Sequence, residues 1–171
     1  MSGKSAFIGE MGITKLECME RIEFKWTDGG DESFRQFYIE TENYYSQIVG
    51  GVKKRAGFVP YNLSDTISDV LIAYIDGKPV GCAGLKKYSD TDVEIKRVWV
   101  EPESRGQKIA SRMLNLIEEK ARQMNYKRAI LQTRPIMMDA VKLYENRGYS
   151  LIDNYPPYDK LEGAICMALV L

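Results

Sequence analysis

Histidine is missing altogether. Its absence excludes Ser-His and Cys-His nucleophilic mechanisms and His-ligated metals, and leaves Glu, Asp, Lys, Tyr, Cys or water as general base. Net charge is missing too: 24 basic side chains face 24 acidic ones, so no overall field draws in nucleic acid or an anionic membrane. The Lys53-Lys54-Arg55 run is too short to form a basic face. Cysteine is scarce. Cys18, Cys82 and Cys166 have no metal-ligand spacing and are odd in number, which suits reduced thiols in a cytoplasm better than a disulfide framework. No apolar run reaches the roughly eighteen residues of a membrane span, and Met1 to Gly9 lack the apolar stretch of a secretory leader. The expectation is a cytoplasmic protein with no metal and with neither nucleic acid nor membrane as partner.

What is present is ordinary globular usage, 44% apolar and 28% charged over 171 residues, enough for one domain spanning 1–171. Arg21 to Thr27 alternates like a half-buried strand, and Asp28-Gly29-Gly30-Asp31 turns into a helix with Phe34, Phe37, Tyr38, Thr41, Tyr45, Ile48 and Val49 at helical spacing. Gly50-Gly51 stops it. Residues 52–68 carry Gly57, Pro60 and Asn62 and read as loop or short helix facing a substrate. Val70–Ile75 and Pro79–Leu85 flank a hairpin turn at Asp76-Gly77-Lys78, and a strand over 93–100 follows. The next helix buries Ile109, Met113, Leu116, Ile117, Ala121 and Met124, with Glu118 and Arg122 paired on the outer side. A strand at 128–133, a helix at 136–147 stopped by Gly148, and strands at 149–154 and 164–171 complete the chain. The pattern is mixed α/β: an antiparallel front half and a βαβ crossover.

One junction carries chemistry. Val98-Trp99-Val100 runs through Glu101-Pro102-Glu103-Ser104 into Arg105-Gly106-Gln107-Lys108-Ile109-Ala110, a strand entering a helix whose first N–H groups and dipole favour an anion. Gly106 lets a ligand approach the main chain, and Arg105 adds fixed positive charge. The plain alternative is a tight turn with a surface arginine.

Arg105 to Ala110 resembles the Arg/Gln-x-x-Gly-x-Gly/Ala signature of the GNAT superfamily of acyl-CoA N-acyltransferases. Some forty residues on, Ala140-Val141-Lys142-Leu143-Tyr144-Glu145-Asn146-Arg147-Gly148-Tyr149 resembles its second signature. The resemblance covers Asp69 to the C-terminus. It implies a mostly antiparallel twisted sheet of six to seven strands with flanking helices, an acyl-CoA-binding core over 69–171, and an acceptor-side part over 19–68. Two positions depart from the pattern: Lys108 stands where the family usually has glycine, and Met137 where it often has asparagine.

The implied chemistry is transfer of an acetyl group from acetyl-CoA, without a metal, to a primary amine of a small molecule, amino acid or peptide, and a homodimer is plausible by the same resemblance. The thioester oxygen needs a donor, the amine must lose a proton, and the departing thiolate gains one. By the resemblance, Val98 and Val100 offer backbone groups to the pantetheine and acyl oxygen. Arg105, Gly106, Gln107, Lys108 and Ala110, with Ser111, receive the pyrophosphate. Tyr144 matches the family's general acid, with a core tyrosine as the plain alternative. Glu94 matches a position where some members have a catalytic glutamate, with a solvated strand-end carboxylate as the alternative. Strand alternation puts Glu94, Lys96, Val98 and Val100 on one face and Arg97 and Trp99, as structural residues, on the other. The aromatic run from Phe34 to Tyr45 and the Tyr155-Pro156-Pro157-Tyr158 segment either line an acceptor pocket, with Glu40 or Glu42 drawing in an amine, or serve as helix packing and a rigid polyproline-like turn. A bulkier acyl-CoA as donor, or a non-catalytic acyl-CoA-sensing role, fits the same motifs.

Overall fold

A computed structural model describes residues 21–61 and 63–171; the leader reading and Cys18 fall outside them. Seven strands form one sheet in the order β1-β2-β3-β4-β5-β7-β6: β1 Ile22–Thr27, β2 Asp69–Ile75, β3 Lys78–Lys87, β4 Asp92–Val100, β5 Arg128–Thr133, β6 Ser150–Ile152 and β7 Ile165–Val170. Every neighbouring pair is antiparallel except β4 with β5. The parallel pair is joined by helix α2, Ile109–Gln123; α1 is Glu32–Ile48 and α3 is Met138–Glu145.

Both faces of the sheet are covered, which is why β2 is apolar at nearly every position rather than at alternate ones. Leu71 and Ala73 belong to the cluster under α2 and α3 with Ile109, Met113, Ile117 and Tyr144. Val70 and Ile72 point the other way, to Phe34 and Phe37 of α1. Helix α1 starts where the Asp31 carboxylate accepts the Phe34 N–H at 3.1 Å, satisfying one of the open donors of the first turn. The stretch 52–68, read as loop or short helix, holds three single turns of 3-10 helix, Val52–Lys54, Val59–Tyr61 and Ser64–Thr66.

Glu118 is not paired with Arg122 on the outer face of α2. It is 5% exposed and accepts from Arg147 at 3.0 Å (Nε to Oε1) and 2.6 Å (Nη2 to Oε2), and from the Tyr149 hydroxyl at 3.1 Å. The reason is spacing: 114, 117, 118 and 121 form one inward stripe, and Arg147, just past α3, brings the cation to it. This ties α2 to the chain after α3.

Two irregularities in β4 shape the molecule. Only Asp92, Val93 and Glu94 pair with β5, opposite Arg128, Ala129 and Ile130; beyond them the two strands part. The second is a bulge. Trp99 lies opposite Cys82 and Lys96 opposite Gly84, so Ala83 alone spans both Arg97 and Val98, and Arg97 takes φ 56°. The extra residue inverts the alternation. Val98 and Val100 join Val93 and Ile95 on the α2 side, whereas Trp99 packs toward α1, and Arg97 reaches Thr41 and Glu42 of α1. The expected face shared by Glu94, Lys96, Val98 and Val100 is thus broken after Lys96.

Candidate functional site

Where β4 and β5 part, a cavity of about 380 Å³ opens. On the α2 and α3 side its wall includes Val98, Val100, Ala140, Leu143 and Tyr144; on the α1 side it includes Tyr44, Tyr45, Arg55, Lys96 and Arg97. The cavity therefore runs through the sheet, reaching both faces at the point where strand hydrogen bonding stops.

The loop from β4 to α2 lies at one end. Arg112 N–H donates to the Lys108 carbonyl at 3.0 Å, the first rung of the helical ladder, which leaves the amides before it without intrahelical partners. Gly106 sits at φ 80° with no atom within 4 Å of where a Cβ would stand, an open cradle of main chain. Lys108 takes the left-handed conformation at φ 59° as the N-cap of α2. That explains why glycine suits this position, and lysine holds it at a conformational cost of about 1 kcal/mol. Gln107 donates its side-chain amide to the Ser104 carbonyl at 3.3 Å. Ala110 and Ser111 lie in the first turn of α2.

Arg105 does not reach outward as a free charge. Its Nε donates to the Val100 carbonyl at 3.0 Å, and its guanidinium lies 4.9 Å from the Trp99 ring and 5.3 Å from Tyr44. The loop thus offers main-chain amides and a helix terminus to an anion more directly than it offers this side chain.

Tyr144 is 7% exposed, lies on the cavity wall and has its ring 5.5 Å from Tyr149. Burial pushes its pKa above the ordinary phenol range, so the hydroxyl keeps its proton at neutral pH. Glu94 is 4% exposed and is not part of the cavity wall. Its Oε1 accepts the Tyr155 hydroxyl at 3.0 Å and lies 3.5 Å from Lys96 Nζ. Lys96 is on the wall and donates to the Tyr158 hydroxyl at 2.6 Å. Burial lowers its pKa, against the opposing pull of Glu94. A solvated strand-end carboxylate is therefore not what Glu94 is. Tyr155 and Tyr158, on either side of the cis Pro156–Pro157 bond, are not free pocket aromatics: their hydroxyls cap this buried pair.

The run from Phe34 to Tyr45 divides. Phe34 and Phe37 pack the helix on the sheet, while Tyr44 and Tyr45 face the cavity. Glu42 is occupied by Arg55 and Arg97, not open to an amine. Sequence reasoning missed Arg55, Arg97 and Arg134 as cavity residues. Arg97 was hidden by the bulge, and the other two sit in irregular segments where no period assigns a face. Among the described residues no group of acidic or thiol side chains is arranged to hold a metal ion, and no helix is long and apolar enough to cross a membrane.

The family model described as Acetyltransferase (GNAT) family matches residues 15–149. An uncharacterized N-acetyltransferase, YjgM of Escherichia coli K12, is 32% identical over 81 residues, 46% of this chain and 48% of that protein. The chain spans about half the length of the curated relatives it matches. Among solved structures, a candidate acyl-CoA N-acyltransferase from Klebsiella pneumoniae superposes with a TM-score of 0.73 at 22% identity, covering 88% of this chain and 97% of that one. A GNAT acetyltransferase from Elizabethkingia anophelis with acetyl-CoA bound has a TM-score of 0.61 at 18% identity, covering 89% and 99%.

Proposed function

Because the chain belongs to the acetyltransferase (GNAT) family, we propose that it is an N-acetyltransferase that moves an acetyl group from acetyl-CoA to a primary amine, as one domain with its acceptor side before residue 69 and its acyl-CoA core after it. The observation that carries the reading is the cavity through the sheet at the parting of β4 and β5, with open main-chain amides at one end and Tyr144 on its wall. Donor and acceptor can then approach from opposite faces and meet without a covalent enzyme intermediate.

The residues present fit acetyl-CoA. An anion is accommodated by the amides of Gly106, Gln107, Lys108 and Ala110 and by Ser111, where Gly106 leaves room above the main chain; the Arg105 N–H is engaged by the Pro102 carbonyl at 3.3 Å. The backbone of Val98 and Val100, on the unpaired edge of β4, takes the pantetheine arm as a strand takes a neighbour, and a main-chain N–H there meets the charge that develops on the acyl oxygen. When bound, the thioester supplies the activated acyl group; the transfer breaks its C–S bond and forms a C–N bond. Tyr144 donates to the departing sulfur. A phenol above pKa 10 is a weaker acid than a thiol of about 8.5, so its part is to stabilise the charge building on sulfur by donating a hydrogen bond rather than by giving up its proton. Glu94 takes up the amine proton at one remove, through water or through Lys96, because Lys96 and not Glu94 is on the cavity wall.

The test is calorimetric titration with acetyl-CoA followed by thiol release over a panel of primary amines. Micromolar acetyl-CoA binding and turnover of at least one amine is the expected result. Absence of acetyl-CoA binding overturns the reading, and binding with no turnover of any amine reduces the protein to an acyl-CoA-binding module.

A further inference from the structure

The α1 side of the cavity carries more positive than negative charge, and the excess is built in. Arg55 and Arg97, with side chains 6% and 5% exposed, converge on one carboxylate oxygen, Glu42 Oε1, at 2.6 and 2.8 Å. Burial alone would raise the Glu42 pKa, but the hydrogen bond from Arg55 and the charge of Arg97 hold it below the usual carboxylate range. Its single negative charge is thus shared between two guanidiniums. Arg97 is further held by Thr41 Oγ1 at 3.0 Å and by the Tyr38 ring at 4.2 Å. Arg55 is not fully satisfied: its Nε is buried with no hydrogen-bond partner among the described residues.

A third guanidinium meets the same cavity from beyond the end of β5. Arg134 stacks 5.0 Å from the Phe58 ring, and Phe58 follows Arg55 by one turn, its N–H on the Arg55 carbonyl at 2.9 Å. Arg134 Nη1 is also buried without a partner among the described residues. Lys96 already has Glu94 beside it, and Asp139, the acid on the wall, belongs to α3 across the sheet. Buried donors are ordinarily satisfied, and a guanidinium fork matches a carboxylate in shape as well as charge. Two such guanidiniums on the cavity wall, each with a buried donor that has no partner among the described residues, beside a carboxylate already shared twice, form a receptor for an anionic group.

We propose that the acceptor is an amine that also bears a carboxylate, of the α-amino-acid class, with Arg55 and Arg134 holding the carboxylate while the amine faces the thioester. The inference rests on the acetyl-transfer reading and narrows it. The transfer forms the C–N bond of an N-acetyl amino acid, breaks the C–S bond of acetyl-CoA, and delivers the amine proton, through the protein, to balance the released CoA thiol.

The experiment compares initial rates of thiol release for the α-amino acids, their carboxamides and the matching decarboxylated amines, on wild type, Arg134→Met and Arg134→Lys, with acetyl-CoA affinity of each measured by calorimetry. At least one amino acid is expected to exceed its carboxamide in kcat/KM by about 10- to 100-fold, the contribution of a charge-assisted contact. Arg134→Met should erase that preference, Arg134→Lys should retain part of it, and acetyl-CoA affinity should stay unchanged in both. Carboxamides or plain amines used as well as the acids, no amino acid accepted at all, or a loss in Arg134→Met that falls on acetyl-CoA affinity would each overturn the inference. Intact acetyl-CoA binding with no carboxylate preference defeats this inference alone; failure of wild type to bind acetyl-CoA defeats the reading beneath it.

Discussion

Replacing Gly106 separates a damaged fold from a blocked site. In the ligand-free protein a side chain at 106 meets nothing within 4 Å, so its penalty is conformational: the residue sits at φ 80°. Holding a non-glycine residue in the left-handed region costs about 1–2 kcal/mol, and the loss of glycine's freedom in the unfolded chain returns about 0.4–1 kcal/mol. A net cost near 1 kcal/mol lowers Tm by about 2–4 °C in a chain of this size. Acetyl-CoA binding should suffer far more. If the large side chain of Gly106→Trp fills the open space above the loop and removes two amide contacts to a charged phosphate, each worth about 1.5–3 kcal/mol, Kd rises by roughly 10²- to 10⁴-fold. Gly106→Ala, with one added methyl, should fall between the two. Thermal melts and acetyl-CoA calorimetry on the three proteins measure both quantities. A folded Gly106→Trp variant with wild-type acetyl-CoA affinity would refute the assignment of this loop to the pyrophosphate.

Tyr144→Phe should keep acetyl-CoA affinity and Tm while lowering kcat by about 10²-fold or more; an unchanged kcat in a thiol-release assay removes Tyr144 from the chemistry. Glu118→Ala leaves the Arg147 guanidinium, its side chain 15% exposed, without its carboxylate. That should destabilise the fold by about 3–5 kcal/mol, a fall in Tm of about 6–20 °C, whereas a loss under about 1 kcal/mol by urea titration would show the pair to be a solvated one. Burial and the neighbouring Glu40 carboxylate push the Glu101 pKa from 4.5 up to about 7. The protonated form is therefore favoured by folding: its contribution is full below pH 4.5 and is lost as pH rises through 7. Solvent screening at this half-exposed site reduces the effect to about 1 kcal/mol. Urea midpoints at pH 5 and 7.5 should show that decline in wild type and a smaller one in Glu101→Gln; equal slopes would mean Glu101 has no part in it.

The fold was legible wherever the information is local. Periodicity and turn residues gave the hairpin at Asp76-Gly77, which matches the end of β2 and start of β3, and the strand Arg128–Thr133, which is β5 residue for residue. Of the stripe expected to be buried, Ile109, Met113, Ile117 and Ala121 are the buried side of α2, whereas Leu116 is only partly buried and Met124, just past the helix, is 40% exposed. Glu118 shows where local reading stops. Helical spacing allows it an outward partner at i+4, but its position also completes the inward stripe, and the choice is made by Arg147, 29 residues away. A long-range cation decided what the local pattern left ambiguous.

The bulge in β4 is the same lesson applied to the site, and it accounts for more than a misread face. One residue of slip turns every later side chain to the opposite side of a sheet. Had β4 been regular, Val98 and Val100 would have shared the α1 face with Lys96, and Arg97 would have pointed into the apolar cluster under α2, away from Glu42. The bulge instead sends Val98 and Val100 to the α2 side, and it delivers Arg97 to Glu42 on the other. Bulges also bend a strand and strengthen its twist, and here the bulge lies on the stretch of β4 that has already left β5, beyond the last pair at Glu94 and Ile130. The opening between the strands and the sorting of apolar and charged residues onto its two faces therefore share one cause, a register shift against β3. That shift is fixed by pairing between strands and is written in neither strand alone, which is why the strand-to-helix turn at 101–109 could be read from sequence and the charged α1 side of the cavity could not.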